Sequence, residues 1–235
     1  MRTLFAVLAI VAGTALAQPH ARATVVLVGD STMAVRTGYG PALCQDLEPD
    51  VGCVNLARNG RSSRSYRDEG SWARVLSEVP EWGKSGRVVV LIQFGHNDQP
   101  GKPGRSTELA TEYPAQLDRY VSEARDAGAI PVLVTPLTRR RFHDGVLVED
   151  LEPWAQSMRE VARRRGVALI DLHASSRAAV QALGPDAADR LAAAARGEAG
   201  FDHTHLGARG AALFAGLVLR ELRPLLAASA VGAVR

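Results

Sequence analysis

Two short polar runs at opposite ends of the chain carry the residue types of nucleophilic catalysis. Gly29-Asp30-Ser31-Thr32 holds a serine hydroxyl, and Asp202-His203-Thr204-His205-Leu206-Gly207 holds a carboxylate and two imidazoles. A serine hydroxyl is a weak nucleophile until an adjacent base takes its proton. Asp202 and His205 stand three residues apart, a spacing that one turn of chain brings side by side. The carboxylate could then accept the Nδ1 proton of His205, fix the ring's tautomer, and leave Nε2 to receive the proton of Ser31. Plainer roles are open to the same residues. Ser31 could cap the next helix, and Asp202 could accept backbone N–H groups at the start of another. Asp202, His203 and His205 could also hold a metal, but His-x-His alone is a weak signal and no further ligand cluster accompanies it. His203 reads as a bystander.

An ester hydrolase built on this serine also needs donors for a developing oxyanion. Gly60, in Asn59-Gly60-Arg61-Ser62-Ser63, has no side chain to obstruct its N–H. Asn97, in Gly95-His96-Asn97-Asp98, offers an amide donor. With the Ser31 N–H these make three. Taken singly, Gly60 reads as a turn and Asn97-Asp98 as an ordinary loop.

The elements around these residues explain how they could meet. Thr24-Val25-Val26-Leu27-Val28 is an apolar run that reads as a strand buried on both faces, stopped by Gly29. Further strands are expected over 51–56, 87–94, 130–135 and 167–171. Helices are expected over 40–47 and 71–79, from Pro114 to Gly128, from Pro153, and over 208–222. Two short Ala-rich helices are expected to divide near Gly184-Pro185, a hairpin to turn at His143-Asp144-Gly145, and the tail after Pro224 to be loose. Strands alternating with helices imply an α/β fold. The expectation is a three-layer αβα sandwich with a five-stranded parallel sheet in the flavodoxin-like order 2-1-3-4-5. In such sheets ligands bind outside the carboxyl ends of the strands, where Ser31, Gly60 and Asn97 all fall.

Composition narrows the classes. Residues 1–17 read as a secretory signal peptide, with Arg2, an apolar stretch over 4–12 and Ala15-Leu16-Ala17 at the cleavage point. Residues 18–235 then form a single domain, secreted or periplasmic. No other run is long enough to span a membrane. Net charge is +3 with no dense basic stripe, which argues against nucleic acid as a partner. Nearly all the positive charge is arginine, since Lys84 and Lys102 are the only lysines. Cys44 and Cys53 could form one local bridge in an oxidising compartment or remain two buried thiols.

Gly29-Asp30-Ser31, Gly60, Gly95-x-Asn97-Asp98 and Asp202-x-x-His205 together resemble the four blocks of the SGNH (GDSL) hydrolase superfamily, in the family's order. Asn59-Gly60-Arg61-Ser62-Ser63-Arg64-Ser65-Tyr66, Gln93-Phe94-Gly95-His96-Asn97-Asp98 and Thr135-Pro136-Leu137-Thr138-Arg139-Arg140 are similar to segments of its rhamnogalacturonan acetylesterase-like branch. Thr32, where Gly-Asp-Ser-Leu is common in the wider family, agrees with that branch. The resemblance implies Ser31 as nucleophile, Asp202 and His205 as its orienter and base, and Ser31, Gly60 and Asn97 as the oxyanion hole. It also implies no metal or organic cofactor. The expected activity is deacetylation of a plant cell-wall polysaccharide, pectic rhamnogalacturonan first, by a protein expected to be a monomer. Arg139, Arg140 and Arg141 are candidate substrate contacts, at least one facing the cleft, whereas Arg61 and Arg64 are expected to hold neighbouring carboxylates such as Asp68. Rivals are another SGNH esterase (a xylan deacetylase, lipase or thioesterase) and a non-catalytic carbohydrate-binding domain. The last would need aromatic platforms, and aromatics are only 5% of the chain.

Overall fold

The computed structural model describes residues 22–194 and 201–231; the expected signal peptide lies outside them. Five parallel strands form the main sheet: β1 (Ala23–Gly29), β2 (Val51–Asn55), β3 (Arg87–Gln93), β4 (Ile130–Val134) and β7 (Ala168–Ile170). Their order is β2-β1-β3-β4-β7, the 2-1-3-4-5 expected from the alternation of elements. Every residue of β1 is buried, because both faces of the sheet are covered. Val25 and Leu27 point into one core, packed by α1 (Gly40–Gln45), α6 (Leu172–Asp189) and α7 (Ala208–Val231). Val26 and Val28 point into the other, with α3 (Ser71–Gly83), α4 (Glu112–Asp126) and α5 (Glu152–Arg165).

Gly29 ends β1 for want of room. It lies outside the left-handed region, but a Cβ there would sit 2.8 Å from the Gln93 carbonyl oxygen of the neighbouring strand. The expected hairpin forms between β5 (Phe142–His143) and β6 (Val146–Leu147), with both Asp144 (φ 48) and Gly145 (φ 76) left-handed, as a tight two-residue turn needs. The Ala-rich segment bends at Gly184 as expected. A short helix, α2 (Ser65–Asp68), falls where only a loop was expected.

As far as Val231 the tail after Pro224 is not loose, because helix α7 runs through that proline to there. A mid-helix proline loses one hydrogen bond and crowds the preceding turn, but Leu222 and Leu226 are both buried in the core and Arg87 Nη2 donates to the Leu226 carbonyl at 2.8 Å. Burial of those leucines outweighs the local cost.

Cys44 and Cys53 are bridged, joining α1 to β2 across a sequence separation of 9 with Cα atoms 5.4 Å apart. So short a loop restricts the unfolded chain modestly, by about 2.6 kcal/mol. Replacing both cysteines with alanine should therefore lower the melting temperature by roughly 5–10 °C for a domain of this size. An unchanged Tm would mean that the bridge contributes nothing.

Candidate active site

All five strands of the parallel sheet end at one edge, and the loops that follow β1, β2 and β3 deliver Ser31, Gly60 and Asn97 there. The segment before α7 brings Asp202 and His205 to the same place. His205 Nε2 lies 2.8 Å from Ser31 Oγ, and Nδ1 lies 2.7 Å from Asp202 Oδ2. The other oxygen of Asp202 accepts the backbone N–H groups of Thr204 (2.8 Å) and His205 (2.9 Å). Partial burial pushes the Asp202 carboxyl up, but those two N–H groups and the His205 ring more than offset it and hold the group below its ordinary range. A hydroxyl, an imidazole and an ionised carboxylate in line can pass a proton from the first to the second. One oxygen of Asp202 thus orients the base, and the other closes a turn in its own loop rather than capping α7, which begins only at Ala208. His203 stays apart from this line: its Nδ1 and its carbonyl both meet the backbone of Arg140.

The turn bearing Ser31 rests on a directed chain of buried hydrogen bonds. Tyr39 Oη donates to Gln93 Oε1 (2.5 Å), Gln93 Nε2 to Thr32 Oγ1 (2.7 Å), and Thr32 Oγ1 to Asp30 Oδ1 (2.8 Å). Asp30 Oδ1 also accepts the Thr32 N–H. A leucine in place of Thr32 could do neither half of its task, so the threonine of this Gly-Asp-Ser-Thr form belongs with Gln93 and Tyr39. Asp30 Oδ2 faces His96 Nδ1 at 3.5 Å, and both side chains are buried. Burial works against the Asp30 charge, but His96 and the Thr32 donors hold its carboxyl below the usual value, while burial lowers the His96 imidazole against the pull of Asp30.

Gly60 has φ +76, the left-handed geometry that favours glycine, and its backbone lines the same cleft as Ser31 and Asn97. Asn97 Nδ2 spends one of its two hydrogens on the Arg61 carbonyl at 3.0 Å, and its Oδ1 faces Arg105 Nη1 at 3.4 Å. Those partners set the sense of the amide and leave a second N–H available. The cleft has a volume of about 400 Å³, and every residue lining it is polar or glycine. Lys102 and Arg105 from the loop after β3 stand at its wall; neither falls in a motif, although Lys102 is one of only two lysines.

The three consecutive arginines divide. Arg139 lines the cleft, where its Nη1 is held by Asp150 at 2.6 Å and its Nε donates to Thr204 Oγ1. Arg140 does not face the cleft. It is fully buried on the other side of the chain, and its Nη2 donates to the carbonyls of Asp202 (2.8 Å) and His205 (2.9 Å), its Nη1 to that of Thr204 (3.2 Å). Burial draws its guanidinium down to about 10. Arg141 is outside the cleft too, half-exposed beside Asp150. Alternation along an extended segment turns Arg140 away from Arg139, and Arg141 returns to the Asp150 side but outside the cleft lining. The arginines after β2 hold carboxylates as expected, although the partners are Glu69 for Arg61 and Glu112 for Arg64 rather than Asp68.

Asp98, the neighbour of Asn97, is buried and accepts from the Ser63 hydroxyl (2.5 Å), the Ser63 N–H and the Thr107 hydroxyl. It ties the loops after β2 and β3 together. Burial raises its carboxyl to about 7 in spite of those donors. Since the folded value exceeds the unfolded one, the stability this group contributes is full below about pH 4 and is lost as pH rises through about 7. Asp98→Asn, which keeps an acceptor for Ser63, should remove that slope. The Tm difference between wild type and variant should shift in the variant's favour from about pH 5 to about pH 8; a constant difference would contradict it.

The model of the GDSL-like lipase/acylhydrolase family matches residues 27–213. The probable rhamnogalacturonan acetylesterase YesY of Bacillus subtilis (strain 168) is 35% identical over 158 residues, covering 66% of this chain and 69% of that protein. Rhamnogalacturonan acetylesterase RhgT of the same organism is 33% identical over 170 residues, covering 69% and 70%. Among solved structures, protein YXIM of Bacillus subtilis superposes with a TM-score of 0.72 at 23% identity; this chain spans only 58% of that one, while 88% of this chain is covered. The acetylxylan esterase Axe2 of Geobacillus stearothermophilus gives a TM-score of 0.61 at 18% identity, covering 84% of this chain and 93% of the other. Those two likenesses speak for the fold. The family match takes in Ser31, Gly60, Asn97, Asp202 and His205, and the chain belongs to the GDSL-like lipase/acylhydrolase family, as a carboxylic ester hydrolase.

Proposed function

We propose that this protein is an exported serine esterase that removes acetyl groups from pectic polysaccharide, rhamnogalacturonan first, through an acetyl-enzyme. The observation that carries the reading is the line from Ser31 Oγ through the His205 ring to Asp202, at 2.8 and 2.7 Å, opening into a cleft edged by Gly60 and Asn97. Ser31 Oγ attacks the acetyl carbonyl carbon as its proton passes to His205 Nε2. The Ser31 and Gly60 N–H groups and the free hydrogen of Asn97 Nδ2 hold the oxyanion. Collapse breaks the ester bond, and the imidazolium protonates the departing sugar hydroxyl. Water, deprotonated by His205, then attacks the acetyl-enzyme; acetate leaves and Ser31 recovers its proton.

Two features support a carbohydrate acetate over a long acyl chain. No aliphatic or phenyl side chain lines the cleft, where a long fatty acyl group would call for walls of that kind. The two curated relatives carry the name rhamnogalacturonan acetylesterase. Export rests on the signal-like composition of residues 1–17. The test is acetate release from acetylated rhamnogalacturonan, homogalacturonan, xylan and an aryl acetate. Preference for rhamnogalacturonan is expected; a preference for xylan would reject the pectic assignment, and cleavage of long acyl esters alone would reject the carbohydrate one.

A further inference from the structure

We propose that Lys102 and Arg105 form a carboxylate-binding subsite beside the nucleophile, which selects an acetylated uronate over a neutral sugar. This rests on the deacetylase reading above and names what the enzyme recognises in its substrate.

Three long cationic side chains line the cleft, and only one of them is neutralised. Arg139 is held by Asp150 at 2.6 Å. Lys102 and Arg105 have no carboxylate within ion-pair distance among the described residues. The contrast with their surroundings is sharp: Arg61, Arg64 and Arg67, from the loop and short helix after β2, pair with Glu69, Glu112 and Glu123. Arg105 reaches the Gly60 carbonyl and Asn97 Oδ1 only at 3.4 Å and through Nη1 alone, so its other edge is open to a ligand. Its place against Gly60 and Asn97 puts any anion it binds next to the ester under attack.

The two cations are held together. Arg105 N and Ser106 N both donate to the Lys102 carbonyl, at 3.0 and 2.9 Å, and Ser106 Oγ closes the turn by donating to the Gln99 carbonyl. Thr107 N pins the far end to the Asp98 carbonyl at 2.9 Å. Lys102 and Arg105 therefore project from one fixed turn, and little ordering is left for the ligand to impose. Both are half-buried. Burial first, then the charges of Arg139 and Arg105, pull the Lys102 ammonium down. Like charges kept close in a partly desolvated cleft repel, and a bound anion relieves them. A uronate carboxylate suits the pair: it can accept the forked N–H groups of Arg105 and take the point charge of Lys102 on the same oxygens.

The experiment compares kcat/KM on acetylated galacturonate oligomers with that on the same oligomers after reduction of their carboxyl groups to alcohols. In Lys102→Gln and Arg105→Gln the acidic-to-neutral ratio should fall at least tenfold, mainly through KM, and Lys102→Arg should restore most of it. Lys84→Gln, which removes the same charge from an exposed pair with Glu81, should leave the ratio as in wild type. Galacturonate oligomers without acetyl groups should also inhibit aryl-acetate hydrolysis by wild type and not by Lys102→Gln. A ratio that stays within twofold of wild type in both Gln variants, with wild type active on both oligomers, would overturn the subsite and leave the deacetylase reading standing. Wild type that releases acetate from no carbohydrate would overturn both.

Discussion

Ser31→Ala should lower kcat on an acetyl ester by about four to six orders of magnitude with the fold intact. The hydroxyl lies two residues past the end of β1, and its one side-chain partner among the described residues is His205 Nε2. Losing it opens no cavity in either core. His205→Ala should cost about as much, and the double variant little more, because the two act as one unit. Asp202→Asn should be milder. An asparagine can keep the Oδ1 bonds from the Thr204 and His205 N–H groups, so the loop keeps its shape. What changes is the atom that meets His205 Nδ1 at 2.7 Å. An amide N–H there would stabilise the tautomer with its proton on Nε2, which cannot accept from Ser31. A loss of about three to four orders of magnitude is expected, by analogy with the same change in serine proteases. The measurement is kcat on an aryl acetate, with circular dichroism to confirm folding. Turnover by Ser31→Ala above a few per cent of wild type would remove Ser31 from the chemistry.

Much of this site was legible in the sequence because its parts are local. Val25 to Val28 and Val88 to Ile92 are unbroken apolar runs, and runs of that length with turn residues behind them mark buried parallel strands. Once the strands are placed, the residues just past them share an edge, so Ser31, Gly60 and Asn97 converge without any long-range information. Asp202 and His205 are near neighbours in sequence and needed only one turn. The supports were not legible for the opposite reason. Thr32, Tyr39 and Gln93 form one hydrogen-bonded chain, yet each polar side chain alone reads as surface. Arg140 and its three carbonyl acceptors lie more than sixty residues apart. Periodicity reports apolar faces; it carries no signal for a buried guanidinium. Pro224 misled by a local rule that tertiary packing overrode. Lys102 was visible as a rare residue type, but only the folded chain shows that, among the described residues, it lacks a carboxylate where its neighbours have one.

Arg140 gives the second large effect, and it separates holding the site from acting in it. Its guanidinium is the only donor the described residues offer to the carbonyls of Asp202, Thr204 and His205 in the segment that carries the base. Further ties on that segment are Arg140 N to the His203 carbonyl and Leu206 N to the Thr37 carbonyl, each at 2.9 Å. Arg140→Ala leaves three acceptors without a charged donor and a void where a large side chain was fully buried. At roughly 1.5–3 kcal/mol for each bond to a charged donor, with water recovering part of it, a loss of about 3–5 kcal/mol is expected. For a domain of this size that lowers Tm by roughly 6–20 °C. Arg140→Lys keeps the charge and most of the stem, but a compact ammonium cannot fork across carbonyls of three residues. It should unfold only slightly earlier, yet lower kcat by about 10- to 100-fold, since a displacement of about 1 Å at the base is enough for that. KM for an aryl acetate should hardly move, because Arg140 is outside the cleft. The assay belongs well below the variant's Tm, so that a shortage of folded protein cannot imitate the effect. If Arg140→Lys keeps the wild-type kcat while its Tm falls, the geometry of Asp202 and His205 is set by the remaining backbone bonds, and the guanidinium contributes stability alone.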